Sequence, residues 1–225
     1  MSDNIKVIDL KFVNSYLIKL EDGFILIDTG TSNHWEMLES ELIKTGCLPD
    51  KLKLVIITHG DPDHTGNCFK LKEKYNVKVA MHEEDEYVIQ SEGRVKRIGR
   101  GFFGKLLMVI GRVIIKVQKN KNHFEKFKPD IFLTDEQSMK EYGFDAKVIH
   151  IPGHTKGSIG ILTNDGALFS GDTLANWRSP GAAPFVENFD ELKSSLERLK
   201  KLDTKMVYPG HGKTFTFENI KKISV

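Results

Sequence analysis

VIITHGDPDHTGN, residues 55–67, joins an uninterrupted apolar run to a short stretch that is rich in metal-binding side chains. The β-branched residues 55–57 are typical of a strand buried on both faces, and the Gly, Pro and Asp residues that follow do not extend it. His59, Asp61, Asp63 and His64 are therefore predicted to lie on a loop at the end of this strand.

The spacing of these side chains allows two interpretations. An extended backbone points alternate side chains to the same side, which would place His59, Asp61 and Asp63 together and direct His64 elsewhere. One loop could then supply ligands to two metal ions. The alternative is a polar turn in which Asp61 and Asp63 bond to their own backbone and the histidines are incidental. A single short motif does not decide between them.

The composition is that of one globular domain. The chain has 225 residues, of which 40% are hydrophobic and 28% charged, and we expect residues 1–225 to form a single domain. No apolar run is long enough for a membrane span and the N-terminus does not resemble a signal peptide, which predicts a cytoplasmic protein. Cys47 and Cys68 are predicted to be free, buried thiols, since their spacing matches neither a disulfide framework nor a zinc pair.

The net charge of +2 hides a basic segment. Residues 94–128 contain eleven Lys and Arg residues and one acid, so this segment carries +10 and the rest of the chain −8. It belongs to a predicted insertion at about 83–129. Within it, residues 102–119 have the pattern of an amphipathic helix with one apolar and one basic face. Such a helix could pack on the body with a solvated basic face, form a lid or a homodimer contact, or lie on an anionic membrane surface. The first two are favoured over the membrane surface.

The order of predicted elements indicates an α/β fold. A strand meander at the N-terminus is followed by alternating helices and strands, and a second set of strands follows the insertion. The predicted strands are 5–10, 15–20, 24–28, 54–58, 77–81, 131–133, 147–151, 159–163, 167–169 and 205–208. The predicted helices are 34–44, 65–74, 83–90, 102–119 and 190–201.

Three later strand ends each present one more candidate ligand. They are His154 in PGHT, Asp172 in SGDT and His211 in PGHG, and each follows an apolar run and a glycine. Loops held by a rigid sheet are where enzymes place their functional groups. Four such junctions on one chain make a chance arrangement improbable, and together they predict a metal site.

These motifs resemble those of the metallo-β-lactamase superfamily of mostly hydrolytic binuclear metal enzymes. ILIDTG, THGDPDH, PGHTKGS, SGDT and YPGHG occur in family order over nearly the whole chain. The resemblance implies a four-layer αββα sandwich, here with a basic amphipathic helical insertion. It also implies that His59 and His154, together with position 61, bind one divalent ion, that Asp63, His64 and His211 bind the other, and that Asp172 bridges the two.

Asp61 departs from the family pattern, which has His at this position. A carboxylate shifts preference towards harder metals such as Fe or Mn, although Zn remains the first expectation for the two ions. Asp61 could coordinate, as the acidic residue does in the related diiron flavoproteins, or fall short and leave a weak or mononuclear site. We favour coordination.

The expected mechanism uses the charge of two ions to generate hydroxide from water near neutral pH. Asp63 is the predicted catalytic residue, which orients this hydroxide and accepts a proton. His154 and His211 are expected to donate their other ring nitrogen to a carbonyl or carboxylate, and Asp28 is a candidate for organising these partners, or else a simple turn acid. Four other histidines match no ligand position and are expected to be structural or exposed: His34, His82, His123 and His150.

The resemblance favours a small-molecule substrate. The size of the chain and the bridging Asp172 look like those of small lactonases and hydroxyacylglutathione hydrolases, which implies an ester, thioester or lactone. Zinc β-lactamases commonly have Cys at this position, which disfavours a β-lactam. Nucleic acid is not expected as a partner, although the basic segment would attract phosphate. The rival functions are a diiron site that uses O₂ or NO, for which no flavodoxin-like module is present, and a metal-binding protein with weakened activity.

Overall fold

The first sheet brings the N-terminal meander and the quoted stretch together. The computed structural model describes residues 4–93, 95–99 and 125–223. With strands numbered in chain order, this sheet runs β1 (Ile5–Asp9), β2 (Asn14–Lys19), β3 (Phe24–Ile27), β4 (Leu52–Ile56), β5 (Lys78–Met81) and β7 (Ile131–Phe132). Pairing is antiparallel from β1 to β3 and parallel from β3 to β7. The change marks where helical crossovers begin, since parallel neighbours need a long connection.

The second sheet carries the later ligand motifs. Its spatial order is β14 (Phe215–Thr216), β13 (Met206–Gly212), β10 (Ala167–Asn176), β9 (Ile159–Thr163) and β8 (Ala146–His150), with β11 (Gly181–Ala182) paired to β10. A separate short ladder joins β6 (Ile98–Gly99) to β12 (Phe185–Val186). The β10–β13 pair is parallel, so the polar residues that follow their apolar runs meet at one edge.

Helices cover the outer face of each sheet. The helices are α1 (Trp35–Lys44), α2 (Pro62–Thr65), α3 (Cys68–Tyr75), α4 (Glu86–Gln90) and α5 (Phe189–Leu199), with 3₁₀ turns at Ser32–His34, Glu83–Asp85, Lys140–Tyr142 and Phe217–Lys222. On β3, Leu26 packs with Leu38 of α1, while Ile25 and Ile27 face the other sheet. Leu192 and Leu196 of α5 pack on the second sheet. These layers confirm the predicted αββα sandwich.

The structure changes several predicted boundaries. The strand predicted at 167–169 continues to Asn176, so Asp172 lies within a strand rather than after it. The helix predicted at 65–74 is two helices, α2 and α3. The whole of the predicted 102–119 helix lies outside the described residues, as do the other residues of 100–124. Both cysteines are free and buried, as predicted. Among the described residues, no helix combines the length and apolar character needed to span a bilayer.

The two sheets are joined directly beneath the β13 ligand motif. Tyr16 on β2 donates its hydroxyl to the Pro209 carbonyl at 2.5 Å, and Asn14 donates to the carbonyls of Pro209 and Gly212 at 3.0 and 2.8 Å. Burial raises the pKa of Tyr16 far above its ordinary value, so this hydroxyl stays a donor. The backbone on both sides of His211 is therefore fixed from the opposite sheet.

We expect Phe169→Ala to lower the free energy of unfolding by about 3–5 kcal/mol, because it removes a fully buried ring from the layer between the sheets. Phe169 lies 5.2 Å from the Tyr16 ring and 5.0 Å from the Tyr208 ring, between ring centroids. Urea denaturation measures the change. The control is Phe132→Ala, since Phe132 is 42% exposed and its loss should cost about 1 kcal/mol or less. Equal losses in the two variants would contradict this packing.

Candidate metal site

Four histidines from three segments of the chain each form a contact through the same ring atom. The Nδ1 atom of each contacts an oxygen, from the preceding residue in the case of His59 and from a distant segment in the other three, and this leaves Nε2 directed to a common centre. These contacts are His59 with the Thr58 hydroxyl at 3.0 Å, His64 with the Asp28 carboxylate at 2.9 Å, His154 with the Phe185 carbonyl at 2.7 Å, and His211 with the Phe12 carbonyl. Such contacts fix the orientation of metal-binding imidazoles. His154 and His211 have carbonyl partners, as predicted, whereas Asp28 contacts His64 and neither of these two histidines.

The ligand atoms form two groups around Asp172. His59, His154 and Asp172 make the first group, and Asp63, His64 and His211 the second; within each group the atoms lie within 4.8 Å of one another. Asp172 also reaches the second group, with 3.2 Å from its Oδ1 to His64 Nε2 and 3.1 Å from its Oδ2 to His211 Nε2. Its Oδ2 lies 3.7 Å from His154 Nε2. Asp172 therefore stands between the groups.

Several atoms of this cluster are suited to bind a metal ion, because they form no hydrogen bond with one another. His59 Nε2, His64 Nε2 and Asp172 Oδ1 are buried and have no hydrogen-bond partner among the described residues. Buried polar atoms are rarely left unpaired. Tetrahedral zinc ligands lie ~3.3 Å apart when each is ~2.0–2.1 Å from the ion, which is close to the spacings seen here. The residues present therefore fit divalent metal ions.

The quoted stretch is not an extended loop, and this corrects one prediction. Pro62 starts the short helix α2, which carries Asp63 and His64 on successive positions. Proline suits the first turn of a helix because its fixed φ angle is helical and no N–H is needed there. Asp63 therefore joins His64 in the second group rather than lying beside His59 and Asp61.

Asp61 reaches the centre but is paired with an arginine that the motifs did not indicate. Its Oδ2 lies 3.1 Å from His154 Nε2 and 3.5 Å from His59 Nε2. Both of its oxygens also accept from Arg97, at 2.6 Å from Nη1 and 2.5 Å from Nη2. Nothing in the sequence distinguishes Arg97 from the other basic residues of its segment.

The buried charges shift the pKa values in opposite directions. Burial raises the pKa of Asp61 and Asp172, but the Arg97 charge at Asp61 and the His211 and His64 charges at Asp172 outweigh it and hold both carboxyls well below their ordinary range. Burial lowers the pKa of His211, but the Asp172 carboxylate outweighs it and raises that pKa to about 10. Both carboxylates are therefore ionised, as metal ligands must be.

Asp28 contributes to the candidate metal site through its contact with His64. Its carboxylate is buried and also accepts from the Thr58 backbone N–H at 2.9 Å and the Thr58 hydroxyl at 2.8 Å. Its φ angle is +58°, a left-handed conformation that non-glycine residues seldom adopt. The chain is thus held in a strained turn that places a carboxylate behind a ligand.

Asp85 ties the His59 and His154 segments together and was not predicted. Its buried carboxylate accepts from the Gly60 N–H, the Thr155 hydroxyl and the Gly157 N–H, each at 2.7 Å. A Cβ at Gly157 would lie 2.7 Å from Asp85 Oδ1, so this close approach requires glycine. In sequence Asp85 is one acid in the run EEDE, and no local pattern separates it from its exposed neighbours.

The remaining histidines lie away from the centre, as expected for those described. His34 contacts the Thr31 hydroxyl at 2.9 Å. His82 and His150 stack at 4.3 Å between ring centroids with planes 4° apart, and Glu84 lies beside them. Because a metal ion lies in the plane of each imidazole that binds it, two stacked parallel rings are poorly placed to share one ion. His123 lies outside the described residues.

The comparisons with known proteins agree with this geometry. The sequence model of the metallo-beta-lactamase superfamily matches residues 8–211. The chain belongs to this superfamily. Members of this superfamily use divalent metals. Relatives that are named as hydrolases support the conclusion that this chain is an enzyme of the superfamily.

Two relatives match most of this metallo-β-lactamase superfamily chain. A probable metallo-hydrolase of Methanocaldococcus jannaschii is 29% identical over 206 residues, which are 88% of this chain and 87% of the relative. The hydroxyacylglutathione hydrolase GloC of Haemophilus influenzae is 27% identical over 178 residues, 76% of this chain and 74% of the relative.

Solved structures show the same fold. A metallo-beta-lactamase family protein of Thermus thermophilus has a TM-score of 0.73 at 22% identity, covering 98% of this chain and 78% of that chain. An archaeal metallo-beta-lactamase superfamily protein of Sulfolobus tokodaii has a TM-score of 0.71 at 20% identity, covering 97% of this chain and 84% of that chain.

We expect Asp85→Ala to lower the free energy of unfolding by about 3 kcal/mol, because three buried donors would lose their acceptor. Denaturation in urea measures the loss. Glu83→Ala, an exposed acid in the same 3₁₀ turn, is the control and should change stability by less than about 0.5 kcal/mol. If the Asp85 variant were as stable as this control, the carboxylate would not be holding the two ligand segments.

Proposed function

We propose that this protein is a metal-dependent hydrolase that cleaves a carboxylic ester, thioester or lactone of a small molecule. The observation that carries the proposal is the convergence of unpaired His59, His64 and Asp172 atoms on one centre beside Asp63. The named activity of the Haemophilus influenzae relative, hydroxyacylglutathione hydrolysis, supports a thioester as the first substrate to test.

The proposed cofactor is a pair of divalent ions, with zinc first and iron or manganese as alternatives. His59, His154 and Asp172 would hold one ion, and Asp63, His64 and His211 the other. Ions bound there would acidify a water and stabilise the negative charge that develops on the attacked carbonyl oxygen.

Asp63 would move a proton at the mouth of the site. Its side chain is 38% exposed, whereas that of Asp172 is 13% exposed. Its Oδ2 lies 3.4 Å from His211 Nε2. Burial raises the pKa of Asp63, but the charges of His64 and His211 outweigh it and lower that pKa below its ordinary value. An ionised carboxylate that solvent can reach is suited to orient the attacking water and accept its proton.

The rim beside His211 favours an apolar substrate group. Phe12 is 77% exposed and Trp177 is 49% exposed. Phe12 supplies the carbonyl that holds His211, and the Trp177 ring lies 5.6 Å from the His211 ring. Large exposed aromatic side chains next to a polar centre are typical of ligand-binding clefts. An acyl chain that rests on these two rings would bring its carbonyl to the centre.

A hydrolysis screen tests the proposal. The purified protein, loaded in turn with Zn, Mn and Fe, is assayed with thioesters, lactones and phosphodiesters. We expect turnover of the thioesters or lactones, and Asp63→Asn should lower kcat by roughly 10²–10⁴-fold because it removes a carboxylate that serves as proton acceptor and as a proposed metal ligand. Asp203→Asn, a change of an exposed acid outside the site, is the matched control and should behave as the wild type.

Other results would contradict it. Dioxygen consumption by the iron form without acyl hydrolysis would favour the redox alternative, and exclusive turnover of phosphodiesters would remove the acyl substrate class. An Asp63→Asn variant with wild-type kcat would remove the proposed role of this carboxylate.

A further inference from the structure

Arg97 is placed at the site by the short β6–β12 ladder. It directly precedes β6, whose Ile98 and Gly99 pair with Val186 and Phe185 of β12. The Phe185 carbonyl also accepts from His154 Nδ1. One small ladder therefore positions both the guanidinium and the imidazole that it contacts.

The Arg97 guanidinium donates a hydrogen bond to the His154 lone pair that a metal ion would use. Arg97 Nη1 lies 2.8 Å from His154 Nε2. Because the Nδ1–H of His154 is donated to Phe185, Nε2 is the acceptor nitrogen of the neutral ring. An N–H donated to Nε2 and a metal ion bound to Nε2 exclude each other.

Arg97 also brings a fixed charge to the first group. Its side chain is 13% exposed and binds both oxygens of Asp61, so the pair is bidentate. Arginine remains protonated in proteins, and this planar fork matches a carboxylate closely. Arg97 thereby neutralises the charge of Asp61. A divalent ion that entered beside Arg97 would be repelled by its positive charge.

The second group has the opposite electrostatic surroundings. Its imidazoles, His64 and His211, face the carboxylates of Asp63 and Asp172. Behind His64 stands the buried carboxylate of Asp28, which makes the imidazole a stronger ligand. Asp172 faces both groups, so the groups differ in Asp63 at the second and in Arg97, which neutralises Asp61, at the first. This difference predicts unequal affinities.

We propose that Arg97 competes with a metal ion for the first group, so that the protein binds two ions in separate steps. The second group binds first and more tightly. The first group binds an ion only when the guanidinium leaves His154 Nε2. This inference rests on the metal binding of the proposed function and is independent of its substrate.

Metal titration of the whole, metal-free protein tests this without any substrate. Zn²⁺ binding is followed by calorimetry, and Co²⁺ binding by visible absorption. In the wild type we expect two steps whose Kd values differ by at least ~100-fold, and Arg97→Met should tighten the weaker step by at least ~10-fold while the tighter step changes little. The matched control is Arg198→Met. It removes an arginine that is paired with Asp135 and Glu136 outside the candidate metal site, and this variant should titrate as the wild type.

A second variant guards against a folding defect in Arg97→Met. Arg97→Lys keeps the positive charge beside Asp61 but cannot hold both carboxylate oxygens and His154 with one planar fork. Its weaker step should tighten, and by less than that of Arg97→Met. Circular dichroism of each variant shows whether the fold is retained.

Equal affinity for two ions in the wild type would overturn the inference, and so would a weaker step that neither Arg97 variant changes. A protein that hydrolyses thioesters yet binds both ions equally would contradict this inference alone. A protein with the predicted stepwise binding but no acyl hydrolysis would contradict only the proposed function.

Discussion

Buried ligand atoms that lack a hydrogen-bond partner are the constraint on which the site depends. His64 Nε2 and Asp172 Oδ1 lie 3.2 Å apart, and neither has a hydrogen-bond partner within the described ranges. Each such atom costs roughly 1–3 kcal/mol when left unpaired. The opposite side of each imidazole is bonded, as in the contact of His64 with Asp28, and this bond holds the ring in position. Nε2 is thereby kept available, and an ion bound between the segments would offset the cost.

The surrounding structure holds these segments without filling the centre. Asp85 binds the two segments of the first group, while Tyr16 and Asn14 hold the β13 backbone from the other sheet. Gly210 matters for a different reason: a Cβ there would lie 2.2 Å from Asp172 Oδ1 and 2.7 Å from the His64 ring. Glycine before His211 thus leaves the space in which Asp172 and His64 meet. Stability and site geometry come from the same contacts.

Much of this could be predicted from the sequence, because strand periodicity and the four ligand motifs are local signals. Residues 55–57 are β-branched and buried, as their pattern indicates, and His59, His154, Asp172 and His211 were expected at strand ends. The boundaries of strands and helices were harder to predict. The extension of β10 through Asp172 depends on its pairing with β13, a partner far along the chain. The α2 helix begins at Pro62, where the sequence predicted a loop.

Arg97 and Asp85 could not be predicted, for a physical reason. Their roles depend on contacts across 36 and 70 positions of the chain, to Asp61 and to Thr155. Neither residue stands out from its charged neighbours in sequence. The same holds for the departure at Asp61: the substitution of His by Asp is visible in the sequence, but the arginine that compensates its charge becomes evident only when the chain is folded.

Anomalous X-ray diffraction at the zinc edge, from crystals grown with excess zinc, tests the central claim most directly. We predict a peak ~2.0–2.2 Å from the Nε2 atoms of His64 and His211 and from carboxylate oxygens of Asp63 and Asp172. Zinc found only on the surface, with these imidazoles turned away from a common centre, would contradict the account.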